Sequence, residues 1–366
     1  MAESRHNQAM KKVLITGVSG QDGSLMADYL LENTDFLIYG GFRHTSNPSN
    51  ENCAHLFSNP RFFPVEIDIT DYVSVERAVR GVNPDYFINF AANSFVGNSW
   101  NMPINHFETN AMGVLNCLEA LRLNKFDCRF YNAGSSEQFG NVEYSPQDEK
   151  HPFKPRSPYG ASKCAAHHIT KVYRESYKMY AVQGLLFNHE GVRRGKSFVT
   201  RKISMAVARI KNSIDNGDFD FAPLELGNLD SKRDWSDAED FCDGVWKMLN
   251  NNNPIDYVLS SNETNSVRVF VEWAFKAVDI HGKWFNIGEN PVNEEFLKID
   301  NTTGLATKKK ITLVKINPEF YRPAEVDLLL GDSTLAREQL GWKPKVSFEE
   351  LVSKMVLNDY AQIKNT

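Results

Sequence analysis

Short apolar, β-branched runs alternate with helix-period stretches through the first half of the chain. The first run, Lys12 to Thr16, leads into a glycine-rich turn, Gly17 to Gly23, and then into a helical pattern from Ser24 to Glu32. A strand follows at Phe36 to Gly40, another at Phe62 to Ile67, a helix at Val73 to Arg80, and a strand at Tyr86 to Phe90. One long helix from Ile104 to Leu123 and a strand from Arg129 to Asn132 complete the series. This alternation predicts an α/β fold, a doubly wound parallel sheet with helices on both faces and ligands at the carboxyl ends of its strands. From about Phe187 the periodicity becomes irregular, and a smaller C-terminal substrate-binding lobe is expected there. The expected division assigns 11–186 to the sheet domain, with 232–261 returning to it through a strand at Tyr257 to Ser260. The lobe takes 187–231 and 262–360. Asn286 to Lys310 reads as a loose stretch ending in a solvated lysine run, followed by a strand at Ile311 to Lys315. Ser347-Phe348-Glu349-Glu350 has the form of a capping box opening a terminal helix.

Composition narrows the class. Hydrophobic residues at 42% and charged residues at 24% suit a globular enzyme and exclude a disordered or collagen-like chain. A net charge of -5 gives no long-range pull toward nucleic acid or an anionic membrane, so a phosphate-bearing ligand must be held by local cations. Met1 to Met10 lacks the apolar core of a secretory signal, and no run approaches the roughly 18 apolar residues of a spanning helix. A cytoplasmic location is expected. The five cysteines form no C-x-x-C pair, and the adjacent His167 and His168 point in different directions on a helix, so no disulfide frame and no metal site is expected.

The glycine turn carries the first chemistry. Gly17, Gly20 and Gly23 let the backbone turn tightly, let a pyrophosphate approach the helix N-terminus, and let that helix pack on the sheet, a Rossmann-type arrangement. About 20 residues after Gly23, where an acid usually reads the ribose of NAD, this chain has Arg43. A guanidinium there suits a 2′-phosphate, so NADP is expected, with Thr45 and Ser46 as hydroxyl donors. Other groups fall at strand ends: Asp68-Ile69, Ala91-Ala92-Asn93-Ser94, and Ser135-Ser136-Glu137. Asp68 can accept from an adenine amino group, and the two alanines leave room for a cofactor.

The second chemistry lies in Ser135, Glu137, Tyr159 and Lys163, which supply a hydroxyl, an acid, a phenol and an amine. Tyr159 and Lys163 are four apart, so on a helix they share one face. A neighbouring ammonium is expected to lower the phenol's pKa and make Tyr159 a base near neutrality. Tyr-x-x-x-Lys also occurs as an ordinary amphipathic pair; the company of Ser135 and Glu137 is what points to catalysis. In the second half, Arg201, Lys202, Arg233 and Arg322 are cations able to meet a diphosphate.

Thr16-Gly17-x-x-Gly20-x-x-Gly23, Ser135-Ser136-Glu137 and Tyr159-x-x-x-Lys163 together resemble the extended short-chain dehydrogenase/reductase superfamily. TGVSGQDGS (16–24), PRSPYGASK (155–163), FNHE (187–190), Arg193-Arg194-Gly195, FVTRKIS (198–204), LGNLDSKRDW (226–235) and YRPAEVD (321–327) narrow the resemblance to the GDP-mannose 4,6-dehydratase family, over about residues 11 to 360. The resemblance implies a lyase, a hydro-lyase that oxidises C4 of GDP-mannose, eliminates water across C5 and C6, and returns hydride to C6, giving GDP-4-keto-6-deoxymannose. It implies Ser135, Glu137, Tyr159 and Lys163 as catalytic residues, and a cofactor set of Gly17, Gly20, Gln21, Asp22, Gly23, Arg43, Asp68, Ile69, Ala91, Ala92, Tyr159, Lys163, His189 and Arg194. On the GDP sugar it implies Ser94, Asn188, Val199, Lys202, Leu226, Gly227, Arg233, Arg322 and Glu325. It also implies a homodimer or homotetramer, joined through segments like Arg43 to Ser46 and Arg193-Arg194. Ser135 stands where the family usually has threonine, Asn93 and Phe95 where it has glutamine and histidine, and His44 where it has a second arginine; Asp215 to Pro223 is extra sequence. Rival readings are a 4,6-dehydratase of another GDP sugar such as a GDP-heptose, a GDP-sugar epimerase, and a non-catalytic NADP-binding scaffold.

Overall fold

The computed structural model describes residues 10–46, 50–288, 290–300, 303–305, 307, 310–321 and 328–365. The first half runs β1 (Lys12–Thr16), α1 (Gln21–Asn33), β2 (Leu37–Phe42), β3 (Phe62–Glu66), α2 (Tyr72–Val82), β4 (Tyr86–Asn89), α3 (Pro103–Phe107), α4 (Gly113–Asn124), β5 (Arg129–Ala133), α5 (Pro158–Tyr177) and β6 (Ala181–Leu186). Then come β7 (Asn188–Glu190), α6 (Val199–Asp215), β8 (Leu224–Leu226), β9 (Lys232–Arg233), β10 (Trp235–Asp237), α7 (Ala238–Leu249) and β11 (Tyr257–Leu259). A seven-stranded sheet has the order β3-β2-β1-β4-β5-β6-β11, with every neighbouring pair parallel. The order reverses between β1 and β4, which opens a crevice at the carboxyl ends of those strands, as in Rossmann-type folds.

Both faces of this sheet are covered. Val13 and Ile15 face α1 and α7 through Met26, Leu30, Val245 and Met248. Leu14, Phe87 and Phe130 face α2, α4 and α5 through Val79, Leu118 and Ala166. Burial of each such large side chain contributes roughly 1.5–3 kcal/mol, so the strands sit in fixed register and their ends are fixed too.

Three boundaries differ from the sequence pattern, and each bears on the crevice. Helix α1 begins at Gln21, inside the glycine turn, because Gly20 occupies the N-cap; Asp22 thus lies in the first turn. Strand β2 continues to Phe42, so Arg43 follows the strand directly. The single helix expected from Ile104 to Leu123 is broken by a π turn at Glu108–Met112. There the Asn110 amide donates to the Asn93 carbonyl (3.1 Å) and to Ser162 Oγ (3.1 Å), and its oxygen accepts from the Asn93 N–H (2.8 Å). These contacts join the turn to residues 17 and 52 positions away, which local periodicity does not carry.

The remaining elements are β12 (Asn265–Ser266), α8 (Val267–Lys276), β13 (Gly282–Phe285), β14 (Glu295–Lys298), β15 (Thr312–Ile316), β16 (Leu328–Leu329), α9 (Thr334–Leu340) and α10 (Phe348–Lys364). A four-stranded sheet, β13-β14-β15-β8, joins α6, α8 and α10 around Ile203, Val207, Phe270, Phe296, Leu313 and Met355. Strand β14 lies inside the stretch expected to be loose; it is held because Phe296 and Leu297 are buried between β13 and β15. Of the lysine run, Lys310 pairs with Glu295 at 2.6 Å, while Lys308 and Lys309 lie outside the described residues. Ser347 and Glu350 form the reciprocal capping box at the start of α10. Among the described residues no helix is long and apolar enough to cross a membrane.

Candidate active site

At the crevice the turn after β1 leaves no room for a side chain at Gly17 or Gly23. Gly17 has φ +70°, and a Cβ on it would lie 2.8 Å from the Ala91 nitrogen; a Cβ on Gly23 would lie 2.3 Å from the Gly17 carbonyl oxygen. The Gly17 carbonyl accepts the Gly20 N–H at 3.0 Å, closing the turn. Next to it, His189 Nε2 meets Asp22 at 2.9 Å while its Nδ1 bonds the Phe187 carbonyl at 2.7 Å. Burial alone would raise the Asp22 pKa, but the His189 charge and hydrogen bond, with help from Gln21, bring it down to about 2. Burial opposes the charge on His189, yet Asp22 beside it holds the imidazole above its ordinary pKa. The Gln21 amide donates to Asp22 (3.0 Å) and to the His189 carbonyl (3.1 Å), and its Oε1 is buried with no partner.

The other residues expected on the cofactor spread along the same sheet edge. Arg43 is exposed at the end of β2 and has no ion pair among the described residues. Asp68 Oδ1 is occupied by the Thr70 N–H (2.9 Å) and hydroxyl (2.7 Å). The Ile69 side chain is in the core under α4, and its carbonyl accepts from Asn116 at 2.9 Å. Ala91 and Ala92 are half-buried, Ala91 with its backbone against Gly17.

Further along, a cavity of about 520 Å³ gathers Ser135, Glu137, Tyr159 and Lys163 with Asp22, Ala92, Ser94, Asn188, His189 and Arg194. Ser135 caps the 3-10 turn Ser136–Gln138: its Oγ accepts the Glu137 N–H at 3.3 Å, while the Gln138 side chain accepts the Ser135 N–H at 3.0 Å. That turn faces the start of α5, where Ser157 is the N-cap, Pro158 the first residue and Tyr159 the next. Lys163 sits one turn on, 4% exposed, its Nζ 5.8 Å from the centre of the Tyr159 ring.

The expectation that Lys163 lowers the phenol's pKa is corrected here. Burial dominates and holds Tyr159 up at about 12; the counterweights are a hydrogen bond with Ser135 and the charge of Arg194, and Glu137 pushes the other way. Burial likewise brings Lys163 down to about 8. Its ammonium donates to the Ala133 carbonyl at 2.8 Å, so the lysine is anchored to the end of β5.

The far wall of the cavity includes Val199, Lys202, Leu226, Gly227 and Arg233. Lys202 Nζ lies 3.7 Å from the centre of the Phe320 ring, and burial lowers its pKa. A Cβ on Gly227 would meet the Phe320 carbonyl oxygen at 2.7 Å, which is why the Pro318–Phe320 turn can close on this wall. Arg201 departs from expectation: it is buried on the other side of α6, bonded to Asp359 at 3.0 and 2.8 Å, and does not line the cavity. Arg322 and Glu325 lie outside the described residues. Phe95 is on the cavity wall, edge-on to Phe198 with ring centres 5.7 Å apart, whereas Asn93 is taken up by Asn105 (2.6 Å) and Thr109 (3.1 Å). Sequence reasoning did not single out Trp100, Phe198 or Ser231, whose buried Oγ has no partner in this wall. Only the presence of Phe198 and Ser231 inside recognisable motifs hinted at them.

The family model for GDP-mannose 4,6 dehydratase matches residues 14–355. The chain is 42% identical over 357 residues to the GDP-mannose 4,6 dehydratase of Drosophila melanogaster, covering 95% of this chain and 86% of that one. It is 40% identical over 362 residues to the Yersinia enterocolitica GDP-mannose 4,6-dehydratase (97% and 95% covered) and 39% identical over 354 residues to the human protein (94% and 90%). Among solved structures, a dTDP-glucose 4,6-dehydratase of Streptomyces venezuelae with NAD and TYD bound superposes with TM-score 0.77 at 20% identity, covering 97% and 98% of the two chains. The Pseudomonas aeruginosa protein RMD, solved with NADPH, superposes with TM-score 0.72 at 20% identity (96% and 100%). At that identity the two structures speak to the fold.

Proposed function

Since the chain belongs to the GDP-mannose 4,6-dehydratase family, we propose that it converts GDP-mannose to GDP-4-keto-6-deoxymannose with a bound NADP. The observation that carries the reading is the meeting of a carboxyl, a phenol and a hydroxyl, from Glu137, Tyr159 and Ser135, in one cavity at the sheet's carboxyl edge. A dinucleotide fits the residues present: the side-chain-free turn at Gly17 and Gly23, the unpartnered Gln21 Oε1, and the exposed guanidinium of Arg43 for a 2′-phosphate. When bound, the nicotinamide supplies a reversible hydride acceptor for C4 and donor for C6.

The protein's own part is proton transfer and orientation. Tyr159 takes the C4 hydroxyl proton while Ser135 hydrogen-bonds the C4 oxygen. The resulting ketone acidifies the C5 hydrogen; Glu137 removes that proton and delivers it to the departing C6 hydroxyl, which leaves as water, and as C6 is reduced Tyr159 returns to C5 the proton it took from the C4 hydroxyl. Lys163, anchored on Ala133, keeps a positive charge under the phenol and the nicotinamide ribose. Burial holds the Tyr159 pKa up at about 12, and a positive charge brought beside the phenol would lower it. Lys202 and Arg233 line the cavity as cations for the nucleotide diphosphate, and the assignment extends to Arg322 and Glu325 on the GDP moiety.

In this reading 11–186 with 232–261 form the cofactor half and 187–231 with 262–360 the substrate lobe. The enzyme acts in the cytoplasm as a homodimer or homotetramer, with the segment after Arg43 meeting a neighbouring subunit. Phe95 on the cavity wall favours a second reading, a different GDP hexose or heptose as substrate. Incubation with NADP and each GDP sugar, followed by mass spectrometry, tests both: loss of one water from GDP-mannose supports the first, and loss only from another GDP sugar replaces it.

A further inference from the structure

Arg194 occupies an unusual position between the two halves of the site. It lines the cavity, and its charge acts on both Asp22 in the glycine turn and the Tyr159 phenol. A flexible arginine could satisfy neither consistently, yet this one is held from three sides. Its guanidinium lies 3.7 Å from the centre of the Phe198 ring. Its Nε is 3.0 Å from Glu190 Oε2, on a carboxylate only 1% exposed at the end of β7. Its backbone carbonyl accepts from Arg201 Nη1 at 3.2 Å, and Arg201 is itself fixed by Asp359 on α10. The same Glu190 oxygen accepts a short hydrogen bond from the Thr200 hydroxyl in the first turn of α6. The Thr200 hydroxyl and Arg194 Nε thus converge on Glu190 Oε2, the first through a hydrogen bond and the second as an ion pair without one. A guanidinium held at its Nε edge by a buried carboxylate and stacked on one face retains its terminal N–H groups as a fork, the geometry that grips phosphate or carboxylate oxygens in pairs.

We propose that Glu190 is a positioning residue: with Thr200 it orients Arg194 so that the fork meets the diphosphate-bearing cofactor at its nicotinamide end. This role rests on the nicotinamide reading given above. A buried acid that served only to tie β7 to α6 would act on stability and leave ligand affinity alone. A positioning acid acts on affinity through Arg194 and nowhere else.

The test is a double-mutant cycle on the full-length protein, with NADP affinity measured by calorimetry and GDP-mannose KM and thermal midpoint measured alongside. Glu190→Gln is expected to weaken NADP about 10-fold and Arg194→Ala between about 10- and 100-fold, each with the thermal midpoint nearly unchanged. The double variant is expected to bind no worse than Arg194→Ala alone. Thr200→Val, which leaves the carboxylate in place, is expected to weaken NADP about 3-fold and provides a second reading should Glu190→Gln fold poorly. Additive losses in the double variant, or a fallen thermal midpoint with NADP affinity intact, overturn the role. If the wild-type protein binds neither NADP nor NAD, the nicotinamide reading and this role fail together; if it binds and neither Glu190→Gln nor Arg194→Ala weakens it, the role alone fails.

Discussion

Lys163 gives its ammonium hydrogen bond to the Ala133 carbonyl, 2.8 Å away, and stands off from Tyr159 with 5.8 Å between its nitrogen and the ring centre. The pair shares a helix face as the i, i+4 spacing requires, but β5 decides where the charge rests. A lysine so buried has its folded-state pKa brought down to about 8, against an ordinary 10.5. Between those values the unfolded chain binds more protons than the folded one, so this group makes stability rise with pH from about 8 to 10.5. Below pH 8 the charged lysine costs stability. Lys163→Met is therefore expected to be on the order of 1–3 kcal/mol more stable than wild type near pH 7. Denaturant titrations at several pH values check this: the advantage should shrink steadily above pH 8, and a constant or growing advantage contradicts the assignment.

In the proposed reaction Glu137 divides oxidation from dehydration. Glu137→Gln keeps the shape of the 3-10 turn, whose bonds run through Ser135 and Gln138. It is expected to lose at least 1,000-fold in kcat for water loss while binding cofactor normally. Turnover by mass spectrometry and cofactor affinity by calorimetry check it together; water loss within 10-fold of wild type removes Glu137 from the chemistry.

Ser135 carries a hydroxyl without the methyl that would stiffen its rotamer. Ser135→Ala is expected to lower kcat roughly 10- to 100-fold, because the C4 oxygen and Tyr159 lose one hydrogen bond each. Ser135→Thr restores the hydroxyl and is expected to stay within about 3-fold of wild type. Steady-state kinetics with GDP-mannose measures both.

Arg43 follows β2 directly and is exposed without an ion pair among the described residues. Arg43→Ala is expected to weaken NADP about 30- to 100-fold and NAD by less than 3-fold, since only the 2′-phosphate needs the guanidinium. Equal losses for both cofactors, seen by calorimetry, would show that Arg43 reads something other than that phosphate.

The sequence made the parallel sheet legible because its strands are buried on both faces and read as unbroken apolar runs, such as Val13 to Ile15 and Phe87 to Ile88. The glycine turn was legible for a steric reason: at Gly17 and Gly23 any Cβ collides with backbone. What the pattern could not carry was long-range. The break in the long helix depends on Asn110 reaching Asn93 and Ser162, and Arg201 is drawn away from the cavity by Asp359, 158 positions further along the chain. The charge state of Tyr159 followed the same rule. Spacing brings Lys163 near, but burial, which one helix does not reveal, sets the larger shift.

The central claim is that Glu137 and Tyr159 act on one hexose, so that hydride taken from C4 comes back to C6 in the molecule that loses water. GDP-mannose carrying deuterium at C4 measures this most directly, with the label located in the product by NMR and mass spectrometry. The account predicts a product lighter by one water with the deuterium retained at C6. Release of the label from the sugar, or a C4-oxidised or C4-inverted product that has kept its water, would contradict it.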